Sequence, residues 1–475
     1  MSTDIILRMS RWKKQEKGYI MRIVLPEKVK IILRQLESHG FEGYVVGGCV
    51  RDSILGREPS DWDITTSASP EEVKRIFPKT FDTGIEHGTI TVLMEKEGFE
   101  VTTYRIDGEY EDCRHPREVR FTSNLIEDLR RRDFTINAMA YNETEGLVDA
   151  FGGIEDLKNG IVRCVGNAWE RFGEDALRMM RAVRFCAQLG FEMEEDTARA
   201  IRELAPSLKK ISAERIQVEL VKLLESPHPD WIRQAWENGI TAVILPEFDR
   251  MMEQPQNSAH HVYSVGEHTL EVLRNVRSDR ILRLTVLFHD MGKPEIVTVD
   301  EKGIYHFRGH AAYSAVLAKK IMKRLKFDNE TLNKVHCLVL NHSLYPEGTP
   351  EGVRRSICQL GEELFPAFLE VKRADILGQN PAVQEKKLDY LQQVQNIYEE
   401  ILRRGDCLSL KTLAVTGKDL IADGVKPGKG MGELLNRLLD EVLEAPERND
   451  REWLLERSRQ LRADVYSSTP PAYLP

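Results

Sequence analysis

The sequence predicts a multidomain α+β protein, a small mixed sheet with helices followed by an all-α remainder, and three observations carry that expectation. The chain has 475 residues, too many for one hydrophobic core, so two to four domains are expected. From Ile23 to about Asp149, helical and strand patterns alternate. After Phe151-Gly152-Gly153 the pattern turns helical almost to the end.

Composition narrows the class. Hydrophobic content of 41% and charged content of 30% suit a soluble globular chain. No apolar run approaches the roughly 20 residues that span a bilayer, so no membrane partner is expected. Arg8, Arg11, Lys13 and Lys14 lack the apolar stretch of a secretory signal, and Asp4 and Glu16 argue against a transit peptide; Met21 is an alternative start. Seven scattered cysteines without a CxxC pair exclude a disulfide framework and a zinc knuckle and point to a cytoplasmic protein. The net charge of −9 does not mark a nucleic-acid binder, although local Lys/Arg clusters exist.

Element by element, Ile31 to His39 reads as a helix closed by Gly40, and Tyr44 to Val46 as a strand running into Gly47-Gly48. Asp61-Trp62-Asp63 leads into Ile64, and Thr89 to Met94 and Phe99 to Tyr104 are further strands. Glu174 to Leu189 reads as one helix ending at Gly190, and Ala213 to Leu224 as another before Pro227 and Pro229. Residues 260–342 hold eight of the twelve histidines. Helices continue to about Leu461, and Ser467 to Pro475 reads as a disordered end.

The first chemical constellation is Gly47-Gly48-Cys49-Val50-Arg51-Asp52 followed by Asp61-Trp62-Asp63. Adjacent glycines before a helix let backbone N–H groups approach a triphosphate, with Gly48 at the helix start and Arg51 as a clamp. On a strand, Asp61 and Asp63 project to one face, where their mutual repulsion calls for cations. Mg²⁺ ions bridging them to a triphosphate give the arrangement for in-line phosphoryl transfer. The whole segment resembles the entry motif of class II tRNA nucleotidyltransferases and bacterial poly(A) polymerases, in the superfamily of DNA polymerase beta. The resemblance implies a polymerase-beta-like catalytic head in which Asp61 and Asp63 hold the catalytic metals. Glu100, on a neighbouring strand, is the candidate third carboxylate.

Arg131-Arg132-Asp133-Phe134-Thr135-Ile136-Asn137-Ala138 matches the same family's RRDxxxNA motif. Arg132 suits phosphate, while Asp133 and Asn137 suit a ribose hydroxyl, which would select NTP over dNTP. Glu174-Asp175-Ala176-Leu177-Arg178 is expected on one helix, with Asp175 and Arg178 side by side. Cytosine and adenine both present an amino donor beside a ring-nitrogen acceptor, so an Asp acceptor next to an Arg donor accepts C and A and rejects U and G. This EDxxR element resembles the family motif that selects nucleotides without a template, with Arg181 and Arg184 continuing toward the triphosphate. The charged segment from Asp107 to Pro116, around Glu111, resembles the flexible loop of full CCA-adding members.

A second centre is suggested by His268, His289-Asp290, His310, His342 and Asp375, residues from several helices. Imidazole and carboxylate donors together suit Mn²⁺, Fe²⁺, Ni²⁺ or Zn²⁺. The pattern resembles HD-superfamily phosphohydrolases. That resemblance implies His268, His289, Asp290 and Asp375 as core ligands, His310 and His342 at a second metal, and 2′-phosphate or 2′,3′-cyclic phosphate ends as substrates. Near the C-terminus, Gly417-Lys418-Asp419 and Lys426-Pro427-Gly428-Lys429-Gly430 suit backbone phosphates and resemble the family's tRNA-gripping tail.

The expected organisation is therefore an N-terminal extension over 1–22, a catalytic head over 23–150, a nucleotide-selecting neck over 151–211 and a body over 212–258. An HD domain follows over 259–385, a tRNA-binding tail over 386–465 and an unstructured end over 466–475. The resemblance implies CCA addition to tRNA from CTP and ATP by a monomer or homodimer. An A-adding enzyme, a poly(A) polymerase, or a metal-dependent phosphohydrolase whose head merely binds RNA are the alternatives.

Overall fold

The structure, a computed structural model, describes residues 12–15, 18–108, 119–257 and 262–467. The charged loop around Glu111 falls almost wholly within 109–118, outside the described residues; of the end expected to be unstructured over 466–475, residues 466–467 belong to the helix Arg451–Ser467 and 468–475 lie outside the described residues. The chain divides into two compact units, Met1–Asp249 and Arg250–Pro475.

The first unit opens with a two-stranded ribbon, Trp12–Gln15 and Gly18–Met21. Helix α1 (Glu27–Ser38) buries Val29, Ile32, Leu33 and Leu36, an apolar stripe at helical spacing. It starts one turn earlier than Ile31, because Pro26 and Glu27 suit a helix N-terminus. Strand β1 (Gly43–Val46) is buried along its whole length and leads straight into helix α2 (Gly48–Ile54). Then come β2 (Ile64–Thr66), α3 (Pro70–Ile76), β3 (Thr80–Gly84), β4 (Thr89–Met94) and β5 (Glu97–Thr103). The ribbon Arg105–Asp107 with Val119–Phe121 precedes α4 (Leu125–Arg130), and β6 (Met139–Asn142) and β7 (Gly146–Asp149) close the sheet.

These strands form one seven-stranded mixed sheet in the order β7-β6-β1-β2-β5-β4-β3. Only β2 and β5 pair in parallel, Ile64 opposite Val101, so the start of β2 lies beside the C-terminal half of β5. Tyr44, Val46, Tyr104, Leu125, Leu129 and Ala140 form a core on the face that carries α4. Burying about 150–250 Å² per aromatic side chain, such clusters dominate the stability of a small sheet.

The rest of the unit is helical. Helices α5 (Ala168–Glu174) and α6 (Leu177–Leu189) replace the single helix expected over Glu174 to Leu189. The break falls at Asp175, whose backbone is extended (φ −140°, ψ 103°). Its side chain accepts a hydrogen bond from the Leu177 amide at 3.0 Å, and Asp is a good cap but a poor helix interior residue. Helices α7 (Glu195–Leu204) and α8 (Ala213–Leu224) follow, α8 at the expected bounds.

In the second unit, α9 (Val265–Asn275), α10 (Arg280–Phe288), α11 (His310–Arg324), α12 (Asn329–Asn341), α13 (Pro350–Leu360), α14 (Phe365–Leu377) and α15 (Pro381–Arg404) pack together. Leu391, Val394, Tyr398 and Ile401 of α15 share one core with Val353, Phe365 and Phe368, so packing runs continuously through residue 385. A separate core forms around α16 (Lys429–Glu444) and α17 (Arg451–Ser467). Helix α17 continues past Leu461, where the sequence suggested helical structure ends.

Candidate active site and metal centre

Gly47 joins β1 to α2 with φ +82°, a conformation that L side chains rarely adopt. A Cβ there would also sit 3.2 Å from Arg132 Nη1, so the turn and the arginine are fitted to each other. The Gly48 amide lies at the start of α2, at the carboxyl end of β1. Asp61 and Asp63 lie in the extended segment just before β2 and both are exposed. The strand expected to carry them begins only at Ile64, so neither aspartate lies on it, yet Val46 donates to the Asp63 carbonyl at 3.0 Å, which ties this segment to the same turn.

Asp63 and Glu100 immediately precede the parallel pair Ile64 and Val101. Partial burial pushes the Asp63 carboxyl up to about 6; the charges of Asp61 and Glu100 act in the same direction, and only Arg132 opposes them. Asp63 nevertheless keeps an open face to solvent. Asp63 with the neighbouring charges of Asp61 and Glu100 makes an oxygen-rich site that a hard divalent cation would relieve.

Behind this edge lies a chain of hydrogen bonds. Arg51, 9% exposed, donates to both oxygens of Asp52 at 2.9 Å and to Asn137 Oδ1 at 2.6 Å. Asn137 donates to Asp133 Oδ1 at 3.1 Å, and Arg181 donates to Asp133 Oδ2 at 2.8 and 2.6 Å. Burial works against the Asp133 charge, but Arg181 holds the carboxyl down at about 2. Arg184 is buried and bonded to Glu219 and, at 2.7 Å, to Gln188. The guanidinium carbons of Arg51, Arg181 and Arg184 lie 5.1, 5.5 and 4.0 Å from the centre of the Phe185 ring, a cation–π cluster at the head end of α6.

The EDxxR residues adopt an arrangement that helical spacing did not foretell. Arg178 pairs with Glu174 at 2.6 Å and donates to the Arg131 carbonyl at 3.0 Å. Asp175 pairs with Arg215 of α8, with distances of 2.7 and 3.3 Å. Asp175 and Arg178 are thus held by different partners, because Asp175 sits in the break between α5 and α6.

In the second unit, all six expected ligands come together. The ligand atoms of His268, His289 and Asp375 lie within 4.8 Å of one another, as do those of Asp290, His310 and His342. Asp290 spans both groups: Oδ2 is 3.3 Å from His289 Nε2 and 3.8 Å from His268 Nε2, while Oδ1 is 3.3 Å from His310 Nε2 and 3.6 Å from His342 Nε2. Each imidazole Nδ1 meets a backbone carbonyl: Gly378 for His268, Val286 for His289, Phe307 for His310 and Val339 for His342. That contact turns every Nε2 inward, the orientation expected of metal-binding histidines. His289 Nε2 is buried and makes no hydrogen bond among the described residues. His310 Nε2 and His342 Nε2 face each other at 3.0 Å, and burial lowers His310 to about 4, so neutral imidazoles meet there. The donor set fits a divalent transition metal.

A cleft of about 420 Å³ opens beside this cluster, lined among others by Lys293, Lys372 and Lys387. Lys293 Nζ lies 2.7 Å from Asp290 Oδ2. Burial lowers Lys372 to about 8.

Comparison with known proteins decides the family. The chain is 36% identical over 436 residues to the CCA-adding enzyme of Enterococcus faecalis, covering 91% of this chain and 95% of that one. The chain belongs to the CCA-adding enzymes. The Lactobacillus helveticus CCA-adding enzyme is 38% identical over 420 residues, covering 88% and 92% of the two chains. The crystal structure of the Bacillus stearothermophilus CCA-adding enzyme in complex with CTP superposes with a TM-score of 0.67 at 32% identity, covering 92% of this chain and 98% of that one. The Thermotoga maritima CCA-adding enzyme complexed with tRNA shares the fold at 22% identity and a TM-score of 0.54, covering 92% and 96%. Residues 43–163 match the poly A polymerase head domain, 190–252 the probable RNA and SrmB-binding site of polymerase A, and 299–457 a putative domain 2 of tRNA nucleotidyltransferases.

For a CCA-adding enzyme, three supporting residues escaped the sequence reading. Asp128 is fully buried and accepts from Arg131 at 2.9 and 2.7 Å, from Arg132 at 3.5 Å and from Thr65 at 3.2 Å. Its position three and four residues before two arginines was the available signal. Arg215 and Glu219, four apart on α8, bond Asp175 and Arg184; nothing in the sequence linked them to residues 40 and 35 positions away.

Proposed function

We propose that this protein adds CCA to tRNA 3′ ends from CTP and ATP, without a template, releasing pyrophosphate. The observation that carries this reading is its similarity to CCA-adding enzymes along nearly their whole length, 95% of the Enterococcus chain. The proposed organisation is a catalytic head over 23–150, a nucleotide-selecting neck over 151–211, a body over 212–258, and the tRNA-binding tail over 386–465.

In this reading the tRNA 3′ hydroxyl attacks the nucleotide α-phosphate and pyrophosphate departs. Asp61 and Asp63, with Glu100 beside them, would hold Mg²⁺, which when bound activates the hydroxyl and neutralises the leaving group. The Gly48 amide and Arg132 receive the triphosphate, and Arg51 stiffens that wall through Asn137. Asp133 and Asn137 bound the ribose pocket. Asp175 accepts from the amino group shared by cytosine and adenine, and Arg178 donates to the neighbouring ring nitrogen. Arg181 and Arg184 set the charge behind the pocket from their bonds to Asp133 and Glu219. Asp61→Ala should abolish nucleotide transfer while leaving tRNA affinity within about twofold; retained turnover would refute the assignment.

The six-residue cluster favours a second activity. His268, His289, Asp290 and Asp375, with His310 and His342, would hold one or two divalent transition metals for hydrolysis of phosphate esters at damaged RNA 3′ ends. Mn²⁺, Fe²⁺, Ni²⁺ and Zn²⁺ all suit this donor set. Hydrolysis of 2′,3′-cyclic AMP or 2′-AMP by the metal-loaded protein tests this; inactivity with each of these metals would overturn it.

A further inference from the structure

The cleft beside the histidine cluster is lined by three lysines, Lys293, Lys372 and Lys387, against two carboxylates, Asp290 and Asp375. Three positive charges minus two negative leave one positive charge before any metal binds. Lys293 is committed to Asp290 at 2.7 Å. Lys372 and Lys387 approach from α14 and α15. Lys372, 3% exposed, passes 3.8 Å over the ring of Tyr345 and spends one of its three donors on the His342 carbonyl at 2.8 Å. Lys387 donates to Gln379 Oε1, and Gln379 Nε2 donates to Asp375 Oδ2 at 3.1 Å. That relay fixes the Lys387 ammonium one side chain away from the metal-ligand cluster. A buried ammonium and a half-buried one on the same wall of a cleft are costly unless an anion meets them.

We propose that Lys372 and Lys387 form an anion subsite that receives the non-bridging oxygens of a phosphate monoester, and that they favour this dianion over a cyclic phosphodiester monoanion. The proposal rests on reading the cluster as a phosphohydrolase centre. A monoester carries nearly two charges at neutral pH, a cyclic diester one, so the second ammonium has a partner only on the monoester. In the reaction, water oxygen forms a bond to phosphorus, the ester P–O bond breaks, and the departing ribose oxygen takes up a proton from the water.

The test compares the full-length wild-type protein and Lys387→Gln, both loaded with Mn²⁺, on 2′-AMP and 2′,3′-cyclic AMP, with inorganic phosphate binding measured by calorimetry. Loss of one charge-assisted contact predicts about a tenfold fall in kcat/KM on 2′-AMP and in phosphate affinity. The fall on the cyclic diester should be under about threefold, with metal content unchanged, and Lys387→Arg should restore phosphate affinity. Equal losses on both esters, or unaltered phosphate affinity, would overturn the proposal. If the wild type hydrolyses neither ester, the phosphohydrolase reading falls; phosphate binding that depends on Lys387 in that same sample still upholds the subsite, and its absence overturns it.

Discussion

Asp175 Oδ2 lies 2.7 Å from Arg215 Nη2, so the proposed base-reading carboxylate is oriented by an arginine from the next helix pair, α8. A planar guanidinium fixes both the position and the charge of a carboxylate. Arg215→Ala frees the carboxylate to rotate. It should lower kcat/KM for CTP and ATP by about 10- to 100-fold, the range for one charge-assisted hydrogen bond, and raise incorporation of UTP and GTP relative to CTP. Single-nucleotide addition kinetics with all four nucleotides read this directly. Arg178→Ala should blur nucleotide choice more than it weakens triphosphate binding.

Asp63 gives a pH dependence. Its folded carboxyl sits at about 6, above the ordinary value of 3.8, so the protonated form dominates below that point. Addition at fixed, limiting Mg²⁺ should rise as pH increases through about 6. The sign for stability is opposite: a raised carboxylate pKa costs stability progressively as pH rises from the ordinary 3.8 to about 6, where the unfolded chain ionises and the folded carboxyl resists, and the full cost stands above that point. Asp63→Asn should therefore raise the Tm of the metal-free protein at pH 8 and not at pH 4, by an amount on the order of 1 kcal/mol after allowing for the solvent-facing side of the carboxylate.

Asp128 anchors two arginines from full burial. Asp128→Ala leaves Arg131 and Arg132 without that counter-charge and should destabilise the first unit by roughly 2–4 kcal/mol. Burial raises this carboxyl but Arg131 and Arg132 more than compensate, holding it below the ordinary value. Its contribution is thus present above that ordinary value and lost as pH falls through the lowered one. Denaturant unfolding at pH 7 and pH 3 measures the difference, which should shrink at the lower pH.

The histidine cluster predicts metal-linked stability in the second unit. A ligand that binds only the folded state adds about 2.7 kcal/mol at one hundred times its dissociation constant. Chelation should lower the Tm, and added Mn²⁺ or Zn²⁺ should restore it. In His289→Ala that response should largely vanish while nucleotide addition by the head persists. A calorimetric scan with and without chelator checks both.

Much of this was legible in the sequence because the chemistry sits in short segments. Gly47 to Asp63 places turn, helix start and carboxylates within one strand-helix-strand unit, and the spacing His289-Asp290 survives any modest error in helix bounds. The bounds of β4 and α8 followed from alternation and periodicity. What local pattern could not show was pairing across helices. Helical composition over Glu174 to Leu189 hid the break at Asp175, since a side chain capping its own backbone overrides periodicity at a single residue. The partner exchange that joins Arg178 to Glu174 and Asp175 to Arg215 depends on that break. Asp128, Arg215 and Glu219 are ordinary charged residues on amphipathic helices until the fold buries them.

The central claim is tested most directly by giving the pure protein a tRNA that ends at the discriminator base, with CTP and ATP singly and together, and sequencing the products. The account predicts two cytidines with CTP alone, no addition with ATP alone, and a single CCA end with both. Long adenosine tails, or adenosine added only to tRNA already ending in CC, would contradict it.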